Sequence, residues 1–329
     1  MARKSVPKSR RQYVSQSDAL AIAREGGAKG APFPKYIEPL LATGRDRPPR
    51  GDLWVHEIKY DGYRVQLHKS DGGTSCYTRR GFDWSNRFPT IIEGAWGLKA
   101  HAVVLDGEAV VLTDRGDTNF SALESYVSSK GPDRGKHNII FIVFDLLYLD
   151  GMDLRDVPLI ERKRALKTLL EDSQTPFMYS EHLEEDGPDV LAKACDLELE
   201  GVVSKRRNGK YRSGRNDLWT KVTCRQRETF VIAGIALKGA KFDGVYLGRK
   251  KDGELVYAGK VENGFNDKQV QHLKDLASKL KTKAQPFAKR IKKPKAEWLK
   301  PVLRGDVEYR RMTTGGLLRH PSYKGLRED

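Results

Sequence analysis

Fourteen residues near the middle of the chain, NIIFIVFDLLYLDG at 138–151, constrain its fold more than any other stretch. They are apolar almost throughout and rich in Ile, Val and Phe, which fits a buried strand better than a helix. Such a strand needs a sizeable core around it. With 329 residues, 38% of them hydrophobic, the chain can build one, and its length favours two domains. No run of about 18 apolar residues occurs, so no membrane-spanning segment is expected. A mean hydropathy of -0.62 points the same way. The N-terminal MARKSVPKSRRQYVS has no apolar stretch behind its charges and does not read as a secretory signal.

Residues 1–30 are basic, polar and end in EGGAKG, which predicts a flexible arm, with regular structure starting near Tyr36. WVHEIKYDGYRVQLHK suits a strand, a short loop and a second strand. AVVLDGEAVVL predicts two short strands broken by a hairpin turn at Asp106-Gly107. LIERKRALKTLLED has helical spacing, and GPDVLAKACDLELEGVVSK reads as a helix followed by a buried strand. After Cys224 the texture changes to short strands separated by Gly, Lys and Asp turns, with one helix at KQVQHLKDLASKL. That pattern fits a small barrel of OB type, and an SH3-like barrel would give the same signal.

Charge divides the chain in the same places. Residues 1–30 carry 7 Lys/Arg against 2 Asp/Glu, residues 31–225 carry 29 against 30, and residues 226–329 carry 24 against 12. Clustered positive charge releases counterions from phosphates, so a neutral centre flanked by basic ends points to a nucleic-acid partner. Cys76, Cys195 and Cys224 lie far apart with no C-x-x-C pair. This removes a zinc-finger reading and predicts a reduced, cytosolic setting. No phosphate-binding G-x-x-x-x-G-K-[ST] string occurs, and neither does G-x-S-x-G or H-E-x-x-H. A nucleotide site here must be built differently.

The string that offers one is EIKYDGYR at 57–64, where Lys59 lies between a β-like run and a tight Asp-Gly turn. A lysine is a nucleophile only as the neutral amine, and partial burial or neighbouring cations favour that form. Alone, K-x-D-G is a common turn string. It gains weight because it resembles the nucleotidyl-attachment motif of the covalent nucleotidyltransferases, which comprise DNA ligases, RNA ligases and capping enzymes. Further strings are similar to that superfamily's motifs in order: TRRG at 78–81, LDGEAV at 105–110, FDLLYLDG at 144–151, EGVVSKR at 200–206, YRSGRNDLWTKV at 211–222 and the closing LRHPSYKGLRED. Within the superfamily, YIEPLLAT, HEIKYDGYR and RHPSYKGLRED most resemble the ligase module of bacterial end-joining ligases of the LigD type. The likeness covers nearly the whole chain after residue 30.

The resemblance implies an α+β adenylation domain of antiparallel sheets with flanking helices over 31–225, followed by an all-β OB-fold domain over 226–329. It implies an ATP-dependent DNA ligase that seals 5′-phosphate/3′-hydroxyl nicks or ends through a lysyl-AMP intermediate on Lys59. Glu57, Ile58 and Arg64 would line the nucleotide, Arg79 would contact phosphate, and Glu108 would bind the ribose. Phe144 would stack on adenine, Glu200 would hold Mg²⁺ or Mn²⁺, and Arg215 and Lys221 would meet the phosphates. Arg327 and Asp329 of the last motif would join the catalytic set. The implied setting is DNA repair by end joining in a bacterial cytoplasm at the nucleoid. The enzyme would be a stand-alone monomer acting on nicked or broken duplex DNA, with a Ku-like end-binding protein as a candidate partner. Two departures stand out. Thr223 occupies the place of the second lysine in the family's W-x-K-x-K string, and the closing motif stops at Asp329 without a following lysine. An RNA ligase, a capping guanylyltransferase and a non-catalytic DNA-binding homologue remain open alternatives at this level.

Overall fold

The run at 138–151 forms an 11-residue strand, β7 (Ile139–Leu149), buried along almost its whole length. The computed structural model describes residues 14–113, 116, 118–129, 138–171, 173, 176–292, 295–313 and 315–327. It separates into two units, Met1–Val222 and Thr223–Asp329.

In the first unit β7 lies inside a sheet ordered β1 (Lys29–Gly30), β8 (Met152–Asp153), β7, β6 (Val103–Val111), β4 (Tyr63–Ser70) and β5 (Gly73–Thr78), with β9 (Phe177–Tyr179) also paired to β7. A second sheet runs β10 (His182–Leu183), β3 (Trp54–Ile58), β11 (Gly201–Arg206), β12 (Gly214–Thr223) and β2 (Leu40–Gly44). Two pairs, β7 with β9 and β12 with β2, are parallel, so the sheets are not wholly antiparallel as expected. One side of the first sheet is covered by helices α1 (Val14–Glu25), α2 (Pro89–Gly94), α3 (Phe120–Ser128) and α4 (Leu159–Leu170). On that side Leu105, Val143 and Leu146 enter the main core. On the other side Val104, Leu147 and Tyr148 pack with Leu40 and Trp219 of the second sheet. A strand covered on both faces reads as a continuous apolar run rather than an alternating one. Helix α5 (Gly187–Asp196) packs Val190 and Ala194 against Val202 of β11.

Two expectations fail here, each for a physical reason. Residues 14–25 are not part of a flexible arm: α1 buries Ala19 and Ala23 completely in the main core. Its mean hydropathy is near neutral because small alanines make the contact, and that is why composition hid it. Residues 1–13 lie outside the described residues. Asp106-Gly107 is not a hairpin turn, because β6 runs straight through it between β4 and β7. Gly107 is needed there because a Cβ would stand 2.5 Å from the Ile142 carbonyl oxygen. Asp106 tolerates full burial because Arg64 grips it. Cys76 is a buried free thiol.

The second unit is organised by β13 (Gln226–Lys238), a 13-residue strand that pairs along different parts of its length with β14 (Lys241–Lys251), β17 (Ala296–Leu299) and β18 (Arg304–Tyr309). Register shifts on either side of Gly234 let it bend between these partners. β15 (Glu254–Val261), β16 (Lys281–Thr282) and β21 (Ser322–Leu326) extend the sheet, and β19 (Arg311–Met312) pairs with β20 (Leu318–Arg319). The helix expected at KQVQHLKDLASKL is present beside the strands. Helix α6 (Asp267–Leu280) starts at a reciprocal capping box between Asn266 and Gln269 and buries Leu273 and Ala277. No described helix is long and apolar enough to cross a membrane.

Candidate active site

β3 and β4 bracket the string EIKYDGYR but belong to different sheets, so Lys59 stands where the chain passes from one sheet to the other. Its backbone N–H donates to the Gly201 carbonyl at 2.9 Å, which keeps it in register with β11. Gly62 makes the crossing feasible: a Cβ there would meet the Ala109 carbonyl oxygen at 2.4 Å. On β4 the side chains then alternate. Val65 and Leu67 enter the helix-covered core, while Arg64 and Gln66 face the second sheet. Between the sheets a cavity of about 270 Å³ opens, lined from both.

One part of the cavity is aromatic. Phe144 and Trp219 meet edge to face with centroids 5.7 Å apart. The Lys205 ammonium lies 4.5 Å from the Phe144 ring centre and 4.1 Å from that of Trp219. Arg64 sits over the same two rings at 5.3 and 5.5 Å. Its guanidinium holds Asp106 by two bonds of 3.0 and 2.7 Å and donates to the Leu40 carbonyl at 2.6 Å. The Tyr211 hydroxyl donates to the same carboxylate at 2.6 Å. Burial pulls the Lys205 amine down to about 8, against the opposing attraction of Glu57. Glu57 is buried too. Burial works to raise its carboxyl, but Lys163 at 2.8 Å and Lys205 at 2.9 Å outweigh that and hold it below the ordinary range. Ser180 donates a third bond to it at 2.8 Å.

The other part is charged. Lys59 pairs with Glu200, which immediately precedes β11, and both side chains are mostly buried. Lys221 and Arg215 reach the cavity from β12, and Arg79 from the turn after β5. In that turn Gly81 adopts a positive φ of 80° and the Tyr36 hydroxyl donates to the Arg79 carbonyl at 2.6 Å. Burial lowers the Lys221 amine, and Lys59, Arg215 and Arg79 push it further the same way, so four cations share one neighbourhood. Glu108 of β6 is pushed up to about 8 by burial, with Glu200 and Asp106 adding to the effect and Arg64 and Lys59 only partly offsetting it. That favours the protonated form at pH 7, which can donate as well as accept a hydrogen bond.

This gives a pH signature. The folded chain holds the Glu108 proton more tightly than the unfolded chain, whose glutamates titrate near about 4.3. The resulting stability is fully present below that pH and is lost as pH rises through about 8. Unfolding midpoints should fall over that window by more in the wild type than in Glu108→Gln, the gap amounting to a few kcal/mol. Parallel profiles from pH 5 to 9 would show that Glu108 does not hold its proton.

Two sequence families account for most of the chain. The ATP dependent DNA ligase domain matches residues 47–223, and the ATP dependent DNA ligase C terminal region matches 238–329. The chain belongs to the ATP-dependent DNA ligases. It is 39% identical over 97% of its length to the multifunctional non-homologous end joining protein LigD of Pseudomonas aeruginosa, and spans 39% of that protein. The LigD of Mycobacterium tuberculosis is 33% identical over 89% of the chain, again with 39% of the relative covered. A mycobacterial DNA ligase D complexed with ATP and MES is similar in structure, with a TM-score of 0.53 at 30% identity over 89% of the chain and 95% of that structure. The first unit thus carries the nucleotidyltransferase fold and the second the OB fold of LigD ligase structures.

Of the residues expected in the ligase site, Glu57, Ile58, Lys59, Arg64, Arg79, Glu108, Phe144, Arg215 and Lys221 line the one cavity, and Glu200 reaches it through Lys59. Two are committed elsewhere. Arg64 is spent on Asp106, and the Glu57 carboxylate on two lysines. Arg327 belongs to the second unit, where its side chain donates to Thr229 at 3.3 Å and lies 3.8 Å from Asp306. Asp329 lies outside the described residues. Lys205, Trp219 and Lys163 were missed. The first two sit inside strings already read as motifs, and strand alternation from Lys221 would have turned Trp219 inward. Lys163 had no local signal, because its partner Glu57 is 106 residues away.

Proposed function

We propose that this ligase seals 5′-phosphate/3′-hydroxyl breaks in duplex DNA with Lys59 as the adenylated nucleophile, and that it serves end joining in DNA repair. One observation carries the reading. Lys59 shares a single cavity with an aromatic pocket on one hand and with Arg79, Arg215 and Lys221 on the other. At about 270 Å³ the cavity is of the size of a nucleoside, just below the roughly 300–1,000 Å³ typical of ligand pockets. Phe144 offers the adenine a ring face, and Glu108 a hydrogen bond to the ribose. The triphosphate then falls among the cations. The Lys59 amine bonds to the α-phosphorus as the bond to the bridging oxygen breaks and pyrophosphate leaves. AMP passes to a DNA 5′-phosphate, and the 3′-hydroxyl attacks that phosphate and expels AMP.

No cluster of three His, Cys, Asp or Glu side chains stands ready for a metal among the described residues. The Glu200 carboxylate nevertheless fits a Mg²⁺ or Mn²⁺ that arrives on ATP, since such ions take one or two carboxylates and fill their shell with phosphate and water. Bound there, the ion would neutralise charge developing on the phosphates. A Ku-like end-binding protein is a candidate partner. The test is incubation with α-labelled ATP, Mg²⁺ and a nicked duplex. Protein-bound AMP followed by sealed DNA is expected, and labelled protein that never seals DNA would reject the reading in favour of another nucleotidyl transfer.

A further inference from the structure

The second unit carries most of the net positive charge, yet much of that charge is already paired. Arg225 and Lys324 bind Glu308, and Arg227 and Arg327 approach Asp306. Lys260 binds Asp243 and Glu262, and Lys281 binds Glu297. The segment after α6 is different. Residues 281–295 contain seven Lys or Arg and no Asp or Glu. Lys283, Arg290 and Lys292 are exposed and make no side-chain ion pair or hydrogen bond among the described residues. All three border a cavity of about 820 Å³ that Phe287 and Trp298 also line.

The loop that displays them is held firmly. Gln285 clasps Ile291 from both sides, donating to its carbonyl at 2.9 Å and accepting from its N–H at 2.6 Å. The Ala288 N–H donates to the Leu255 carbonyl at 2.9 Å. Between these ties Phe287 is buried, edge to face with Tyr257 at 5.4 Å and with Trp298 at 5.9 Å. A rigid backbone, three uncommitted cations and an aromatic wall together suit a polyanion with regularly spaced charges and apolar sugar faces. Free cations on a fixed frame lose little side-chain pairing when a phosphate arrives, unlike the paired arginines elsewhere in the unit.

We propose that this loop is a grip for the DNA sugar–phosphate backbone, with Lys283, Arg290 and Lys292 each neutralising a phosphate. The proposal rests on the ligase reading for the identity of its ligand. The test compares two full-length triple variants binding nicked duplex over a salt series. One is Lys283→Ala with Arg290→Ala and Lys292→Ala. The other removes the same charge from α6, as Lys268→Ala with Lys274→Ala and Lys279→Ala, where Asp267 and Asp275 lie among the lysines. The loop variant should lose roughly 0.9 of log–log salt slope for each phosphate released and bind about tenfold or more weakly at low salt. The α6 variant should keep nearly the wild-type slope. Self-adenylation with ATP alone should be unchanged in both, which also shows that they fold. An unchanged slope in the loop variant, or equal losses in both, would overturn the grip. So would a loop variant impaired in adenylation but not in DNA binding, which would make the bound polyanion ATP. Wild-type protein that fails to bind nicked duplex at any salt would overturn the ligase reading along with it.

Discussion

Glu57→Ala should destabilise the first unit by about 3–5 kcal/mol, the usual cost of removing one partner from a buried ion pair. The Glu57 side chain is 3% exposed, Lys163 0% and Lys205 2%. Without the carboxylate two ammonium groups remain in a site that cannot hydrate them. Lys205, already lowered to about 8, can yield by shedding its proton. The loss should therefore be larger at pH 7 than above pH 8, where Lys205 is neutral in both proteins. Adenylation should fail as well, because Glu57 precedes Lys59 by two residues on β3 and its bonds to α4 and β11 fix that strand. Glu57→Gln keeps the shape and one acceptor for Ser180, and should fall between the two. Urea unfolding at pH 7 and pH 9 measures the difference. A Glu57→Ala protein within 1 kcal/mol of wild type, a margin of about what an ordinary surface substitution shows, would mean the network is not a support.

The larger functional effect belongs to Lys59. Lys59→Ala should lose all detectable AMP attachment and all sealing of an ordinary nick. It should remain folded, because the bond from its backbone N–H to Gly201 is untouched. Lys59→Arg is the more telling variant. It preserves the positive charge beside Glu200, but a guanidinium does not deprotonate in proteins and cannot attack phosphorus. Arginine should thus be as inactive as alanine. Both variants should still close a nick whose 5′-phosphate is already adenylated, since that step uses the DNA hydroxyl and the cavity's cations instead of the lysine. Partial activity in Lys59→Arg would mean that the charge, not the nucleophile, is what the position supplies.

Local pattern made the elements legible and left the long-range pairings hidden. The apolar run announced β7, and the Asp-Gly turn announced the break between β3 and β4. That those two strands enter different sheets, which is what sets Lys59 between them, has no signature in the string itself. Asp106-Gly107 carries the same dipeptide as Asp61-Gly62 and does the opposite, continuing a strand, because Arg64 neutralises the aspartate and Phe141 crowds the glycine. Motif order picked out most of the cavity lining. It assigned Arg64 to the nucleotide without showing that Asp106 already holds it, and it gave no sign that burial raises the Glu108 carboxyl. Adjacent Arg162 and Lys163 on α4 belong to no motif. Both are buried, because Asp145 and Glu57 wait for them on distant strands.

The attachment of AMP to Lys59 is open to direct measurement. Peptide mapping of the wild-type protein after incubation with α-labelled ATP and Mg²⁺, without DNA, tests it most directly. Acid-labile AMP is expected on the peptide containing Lys59 and on no other. Lys205 is the instructive competitor, a lysine of lowered basicity lining the same cavity. Its ammonium lies against the rings of Phe144 and Trp219, where the base belongs, so it should stay unlabelled. Label on Lys205, or on any lysine other than Lys59, would show that Lys59 is not the nucleophile.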